Sequence, residues 1–302
     1  MMRHTLYFIF LAFCFSVALN AQKSLPVYSF IDHKSNRIIM PRDSSAFTAL
    51  FNKMDRVAKG DTTMVKVAHM GGSHVQAGIW SNTFISLFQN RYITAGGGYF
   101  VFPFKIAKTN GQPFARSFSS GNWRKCRSVG REFCQPLGMN AMNVSTSDTS
   151  NYFGVALTPK ATCKFVNTVK VYHNFNSSYN IRLFIEDTVN VKKTDVVAEG
   201  FTRFDFAMPV DSVCFQLIRK DTLKSDFVLY GFSLENTLAP GFYLAGLGAN
   251  GASSSSFLGC SELAPQLRTL QADLFILSLG VNDTQSKGFT KDEFIEHYDS
   301  LI

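Results

Sequence analysis

Thr63-Met64-Val65-Lys66-Val67-Ala68-His69-Met70-Gly71-Gly72-Ser73-His74-Val75-Gln76 (residues 63–76) is where one kind of local structure gives way to another. Up to Met70 the run is mostly apolar and reads as a buried strand. Gly71-Gly72-Ser73 is a tight turn. From His74 to Asn90, Val75, Ile79, Trp80, Phe84, Leu87 and Phe88 form a helical stripe. Upstream, Ser44 and Ser45 can cap a helix carrying Phe47, Leu50, Phe51, Met54 and Val57, which Gly60-Asp61 ends. The order helix, strand, glycine-rich turn, helix predicts part of an α/β domain with a parallel sheet.

The C-terminal part repeats that alternation. Pro240-Gly241 and the stretch Gly246-Leu247-Gly248-Ala249-Asn250-Gly251-Ala252 precede a serine run, Ser253 to Ser256. Leu263 to Leu270 suggests a helix. Leu274-Phe275-Ile276-Leu277-Ser278-Leu279 is a continuous apolar strand ending in Gly280-Val281-Asn282-Asp283. Thr290, Asp292 and Glu293 start a last helix with Phe294, Ile295, Tyr298 and Leu301. Between these parts the pattern is different. Gly96-Gly97-Gly98 is a composition break suited to a boundary, and beyond it short strands such as Thr168 to Tyr172, Asn180 to Ile185 and Ser212 to Leu217 alternate with turn residues. Many short strands of this kind argue an inserted β-sandwich.

The N-terminus reads as a secretory signal peptide over residues 1–21. Arg3 supplies the positive charge, Thr5 to Leu19 the apolar core, and Leu19-Asn20-Ala21 the small-residue cleavage site before Gln22. The apolar run is shorter than the ~20 residues a membrane span needs, and no other stretch could cross a bilayer. The expected division is then 1–21 leader, 22–95 first α/β part, 96–236 inserted β module, and 237–302 second α/β part. The expected location is secreted or periplasmic. The net charge of +8 suggests affinity for anionic surfaces such as cell-wall polymers. The Lys and Arg residues are scattered, and an exported protein is not expected to meet nucleic acid. Cys126, Cys134, Cys163, Cys214 and Cys260 follow the leader; Cys126 and Cys134 are closest in sequence, and the odd count leaves at least one unpaired. With no CxxC and no His/Cys cluster, no metal site and no cofactor are expected.

Ligands of open parallel α/β sheets bind at the carboxyl ends of the strands. Ser73 and Asn282 lie in turns at such ends, and Gly251 lies in a third, glycine-rich turn. A serine at a strand-to-helix turn exposes its hydroxyl beside backbone N–H groups of the helix start. Asn282 offers a side-chain NH₂, and Gly251 a backbone N–H that no side chain obstructs. One nucleophile with three donors for an oxyanion is what acyl transfer from an ester requires.

These residues make the chain resemble the SGNH, or GDSL-like, hydrolases, and within them the branch of secreted peptidoglycan O-acetylesterases that carry an inserted carbohydrate-binding-like β-sandwich. Gly71-Gly72-Ser73, followed by His74-Val75-Gln76, stands where that family has Gly-Asp-Ser. Gly251 best matches its oxyanion glycine, with Gly248 the alternative, and Gly280-Val281-Asn282-Asp283 keeps its Gly-x-Asn-Asp block. Leu229 to Asn236 looks like the exit strand of the inserted module. The resemblance implies a flavodoxin-like three-layer α/β fold, Ser73 as nucleophile, and Gly251, Asn282 and the Ser73 N–H around the oxyanion. It implies no cofactor, and an acylated polysaccharide or small ester as substrate.

Two departures bear on activity. Gly72 replaces the family's aspartate, and the chain holds no Asp-x-x-His to supply the catalytic base. His74 should point away from Ser73, His69 reads as a core or supporting residue, Asp292 and His297 are wrongly spaced, and His33 and His173 have no context. The chain is expected to be a truncated form of a longer esterase or an inactive relative. The alternative is a non-catalytic glycan-binding protein on a degenerate hydrolase frame. Phe100, Phe102, Phe104, Trp123 and Tyr152 would then be candidates for stacking on sugar rings.

Overall fold

The computed structural model describes residues 28–30, 32–35, 37–40, 43–61, 63–129, 134–184, 191–223 and 225–302, with the side chains of His33 and Ala46 excepted. The leader assigned to residues 1–21 lies outside them. The chain divides into two units, Met1–Ser44 and Ser45–Ile302. The first shows a single 3-10 turn, His33–Ser35, among its described residues. A second 3-10 turn, Val197–Glu199, and all the α-helices and strands belong to the second.

In chain order these are α1 (Ser45–Ala58), β1 (Met64–Gly71), α2 (Ser73–Ala77), α3 (Ile79–Tyr92), β2 (Gly96–Val101), β3 (Ala115–Ser119), β4 (Arg124–Arg127), β5 (Met142–Thr146), β6 (Ser150–Leu157), β7 (Val166–His173), β8 (Tyr179–Leu183), β9 (Val191–Val196), β10 (Phe201–Val210), β11 (Ser212–Arg219), β12 (Phe227–Asn236), β13 (Gly241–Gly248), α4 (Ser254–Leu258), α5 (Leu263–Leu270), β14 (Leu274–Ser278) and α6 (Lys291–Leu301). Among the described residues no helix is long and apolar enough to cross a membrane.

The main sheet has the order β14-β1-β13-β2-β12-β7-β10-β9, with β5 and β4 added beside β12. The first four strands are parallel, and β12 onward pair antiparallel. The sheet is therefore mixed, and only its first part has the parallel order expected from the sequence. It does not stop at Gly96. Gly96, Gly97 and Gly98 form a buried strand pressed between β13 and β12, where a Cβ on Gly97 would fall 2.0 Å from the Phe242 carbonyl oxygen. The glycine run is there because two neighbouring backbones leave no room for side chains.

Side-chain alternation assigns the two faces. Val65, Val67 and His69 of β1 share a face with Phe242 of β13. Phe242 meets Phe88 and Tyr92 of α3 there. On the same face beyond β2, Phe232 of β12 meets Phe153 of β6 and Phe215 of β11, which belong to a second, four-stranded antiparallel sheet β3-β6-β11-β8. The opposite face carries Tyr243, Ser233 and Tyr172, and the Tyr172 hydroxyl bonds Thr269 of α5 at 2.7 Å. One face is thus covered by a helix at its parallel end and by the small sheet at its antiparallel end. Phe100, Phe102 and Phe104 are buried in this core, so the expectation that they stack on sugars is overturned. Trp123 packs edge-on against Phe153 and Phe227, and Tyr152 against Phe184.

The helix predicted from His74 to Asn90 is two helices. Gly78 separates them in the left-handed conformation, φ 68°, at once C-cap of α2 and N-cap of α3. The break turns α3 so that Phe84 and Phe88 reach the core, leaving Ile79 and Leu87 exposed.

Candidate active site

β1 delivers its last residue, Gly71, beside Ser278 at the end of β14 and Gly248 at the end of β13. Chain turns leave these three parallel strands on one side, as they must where strands end together. Gly72 follows as the N-cap of α2, and Ser73 is the first residue of that short helix. A Cβ on Gly71 would collide with Val75 Cγ2 at 2.5 Å, so the turn is tight by necessity. Ser73 is exposed, and its hydroxyl has no hydrogen-bond partner among the described residues.

A cleft of about 370 Å³ opens at this place, lined by Ser73, His74, His69, Trp80, Ser278, Asn282 and neighbours including Gly72 and Ala252. It brings Ser73 and Asn282 to one site, with Ala252, the residue after Gly251, on its wall. Asn282 Nδ2 donates to the Ala252 carbonyl at 2.8 Å, which uses one of its two hydrogens and fixes the amide. A Cβ on Gly72 would stand 3.1 Å from the same Nδ2, so the missing side chain at 72 makes room for the Asn282 amide. Gly251 is left-handed, φ 81°, and its N–H has no partner among the described residues. Gly248 has a different task. A Cβ there would fall 2.1 Å from the Gln76 backbone nitrogen, so Gly248 lets β13 and α2 touch.

No described histidine or carboxylate is bonded to Ser73. His69 lines the cleft but is engaged on both sides, Nδ1 with Ser81 Oγ at 3.2 Å and Nε2 with Ser278 Oγ at 2.8 Å. Trp80 packs edge-on against its ring, and burial pushes its pKa down to about 4, so it is neutral at pH 7. His74 is exposed beside Ser73. His297 Nδ1 lies 3.0 Å from Ser254 Oγ in a separate polar hollow. His173 is buried in the antiparallel part, bonded to Thr202. The side chain of His33 lies outside the described residues. Among the described residues no group of three or more His, Cys, Asp or Glu is disposed to hold a metal ion.

The structural tasks of several residues that build the site escaped sequence reading. Asp283 is buried beside Asn282 and accepts the N–H of Ser254 at 2.9 Å, which pins the Asn282 turn to α4. Gln76 is fully buried, donates to the Asn110 carbonyl at 2.7 Å and accepts the Asn250 N–H at 2.7 Å. Arg127 Nη2 donates to the Asn250 carbonyl at 2.8 Å from the end of β4, next to Cys126, which is joined to Cys134 by a disulfide. Gln76 was visible in its motif only as a neighbour of Ser73. Arg127 lies far from the motifs in sequence and carried no signal. Cys163, Cys214 and Cys260 are free.

No protein-family model and no curated protein matches the chain in sequence. A solved structure described as a peptidoglycan O-acetylesterase is similar at TM-score 0.61 and 16% identity, over 83% of this chain and 66% of that one. A family two carbohydrate esterase from Cellvibrio japonicus aligns at TM-score 0.19 and 11% identity, over 61% of this chain and 74% of that one. The chain spans just under two thirds of the length of the O-acetylesterase, and over that span it has the same fold.

Proposed function

We propose that this chain is a serine ester hydrolase of SGNH type that removes O-acetyl groups from a polysaccharide such as peptidoglycan. The observation that carries this reading is the single cleft in which Ser73 and Asn282 meet, at the carboxyl ends of β1 and β14. Ser73 Oγ would attack the ester carbonyl. The Asn282 amide, the Gly251 N–H and the Ser73 N–H would receive the oxyanion. The likeness in fold to a peptidoglycan O-acetylesterase supports acetylated glycan as the substrate class. The net charge of +8 favours approach to an anionic cell wall. The leader over residues 1–21 supports export, and N-terminal sequencing of the mature protein should begin at Gln22.

Within this reading, residues 96–236 are an inserted β-sandwich between the α/β parts 22–95 and 237–302. Its first and last strands pair side by side, Asn236 opposite Gly97, as the two ends of an insertion should. Its two sheets meet through Phe153, Phe215, Phe204 and Phe232.

A second reading, a glycan-binding protein on a hydrolase frame, is favoured by one observation: Ser73 Oγ has no base bonded to it among the described residues, while both His69 nitrogens are engaged elsewhere. One experiment separates the two. Hydrolysis of a chromogenic acetyl ester and acetate release from O-acetylated peptidoglycan are measured for the chain and for Ser73→Ala. Turnover lost in Ser73→Ala supports the hydrolase. Equal rates sink the nucleophile assignment, and absence of turnover with retained binding to peptidoglycan supports the second reading.

A further inference from the structure

Gly251 must present its N–H in a fixed direction to serve an oxyanion, yet it sits in an exposed turn with a left-handed backbone. A glycine there is free to swing unless something outside it holds the peptide plane. The Asn250–Gly251 peptide is held at its carbonyl by Arg127 Nη2, 2.8 Å away. In a trans peptide the C=O and the following N–H point in opposite directions. A cation fixed on the Asn250 oxygen therefore aims the Gly251 N–H away from itself and also polarises that amide, which strengthens its donor.

We propose that Arg127 is a positioning residue for the oxyanion site: its guanidinium orients and polarises the Asn250–Gly251 peptide so that the Gly251 N–H faces the Ser73 cleft. The inference rests on the hydrolase reading above for its catalytic meaning, and on geometry alone for the orientation. Three further contacts support it. Gln76 accepts the N–H of Asn250 at 2.7 Å, so residue 250 is gripped at both its backbone groups. The Asn250 side chain donates to Asn110 Oδ1 at 2.9 Å. Val129, two residues past Arg127, has its Cγ1 3.1 Å from the Cβ position of Gly251. Arg127 and Val129 both lie inside the loop that the Cys126–Cys134 disulfide closes, so the β-rich part of the chain reaches over to set a donor of the α/β part.

The experiment compares the native chain with Arg127→Gln, Arg127→Lys and the control Arg124→Gln, which removes a cation from the same strand, where it pairs with Asp226. Two readouts are taken: kcat and KM on a chromogenic acetyl ester, and the amide resonance of Gly251 in protein labelled with ¹⁵N-glycine, assigned through Gly251→Ala. In Arg127→Gln we expect kcat to fall about 10- to 100-fold with KM nearly unchanged, below the full effect of deleting a donor, and the Gly251 resonance to move. Arg127→Lys should recover part of both, and Arg124→Gln should change neither. A kcat in Arg127→Gln equal to that of Arg124→Gln, or an unmoved Gly251 resonance, overturns the proposal. Absence of hydrolysis by the native chain overturns the hydrolase reading instead. The orientation claim is then judged on the resonance alone: movement in Arg127→Gln upholds it and no movement overturns it.

Discussion

Asn282 is a structural pin, and in the proposed hydrolase the same side chain would also be an oxyanion donor. Its Nδ2 gives one hydrogen to the Ala252 carbonyl, and that bond fixes where the second hydrogen points. Asp283, the next residue, holds the turn from below by accepting the Ser254 N–H. Substitution Asn282→Asp keeps the shape, removes both hydrogens and places a carboxylate where a negative oxygen would form. We expect kcat to fall about 10²- to 10³-fold with little change in KM, read in steady-state hydrolysis of the chromogenic ester. A comparable rise in KM with kcat preserved would mean that Asn282 binds the substrate without meeting the oxyanion. The order of Ser73 and Asn282 was legible in the sequence because each follows an apolar strand at a glycine turn. The choice of Gly251 over Gly248 was not settled by spacing; it takes the close approach of β13 to Gln76 to show why Gly248 is occupied with packing. Among the described residues the histidines seen in sequence are engaged, remote or exposed, and none is bonded to Ser73.

At the scale of elements, the predicted strands at 63–70 and 274–279 and the helices at 263–270 and 290–301 appear within a residue or two. These are segments whose apolar pattern and burial agree. The pattern says least where a glycine answers to something distant in sequence. Gly96 to Gly98 reads in sequence as a composition break suited to a boundary, and these residues form buried strand, because the crowding comes from Ala239, Phe242 and Leu234. Gly78 lies inside the segment 74–90 read as one helix and is a break, because its left-handed backbone and the backbone of Gln112 fix it. A Cβ at 78 would lie 2.8 Å from Gln112 Cγ and 3.1 Å from Gln112 Cα. Gly78→Ala therefore carries the left-handed penalty of about 1–2 kcal/mol plus a steric one. We expect urea unfolding to show a loss of about 2–4 kcal/mol. Gln112 also donates to the Gly246 carbonyl on β13, so its displacement would loosen α2 and with it Ser73. A stability unchanged within about 0.5 kcal/mol would show that the break between α2 and α3 is set by the residues around it.

For the whole Ser45–Ile302 unit, two buried histidines set the response to acid. Burial pushes the pKa of both His69 and His173 down to about 4, against about 6.5 in an unfolded chain. At His173 the geometry also blocks the proton. Nδ1 accepts the Phe175 N–H at 3.1 Å, so Nε2 carries the hydrogen and donates to Thr202, whose hydroxyl donates to Asp195. Asp195 favours the charged ring and Lys193 opposes it, and neither outweighs burial. Between pH 6.5 and pH 4 the unfolded chain takes up protons that the folded chain refuses. Stability is thus fully present above pH 6.5 and is lost as pH falls toward 4. Each histidine can contribute a slope of up to about 1.4 kcal/mol per pH unit inside that window. Against burial, hydrogen bonds and ion pairs with Arg203 and Lys170 hold the carboxylates of Asp205 and Glu235 below their usual range, so the stability they add is lost only as pH falls from the ordinary carboxylate pKa of about 4 downward, at the foot of this window. His173→Asn keeps an acceptor for the Phe175 N–H and removes the titration. Chemical unfolding measured from pH 7.5 to 4.5 should give a shallower fall for His173→Asn than for the native chain, even where the variant is less stable at pH 7.5. Parallel curves for the two proteins would mean that His173 does not govern the acid limb, which would then fall to His69.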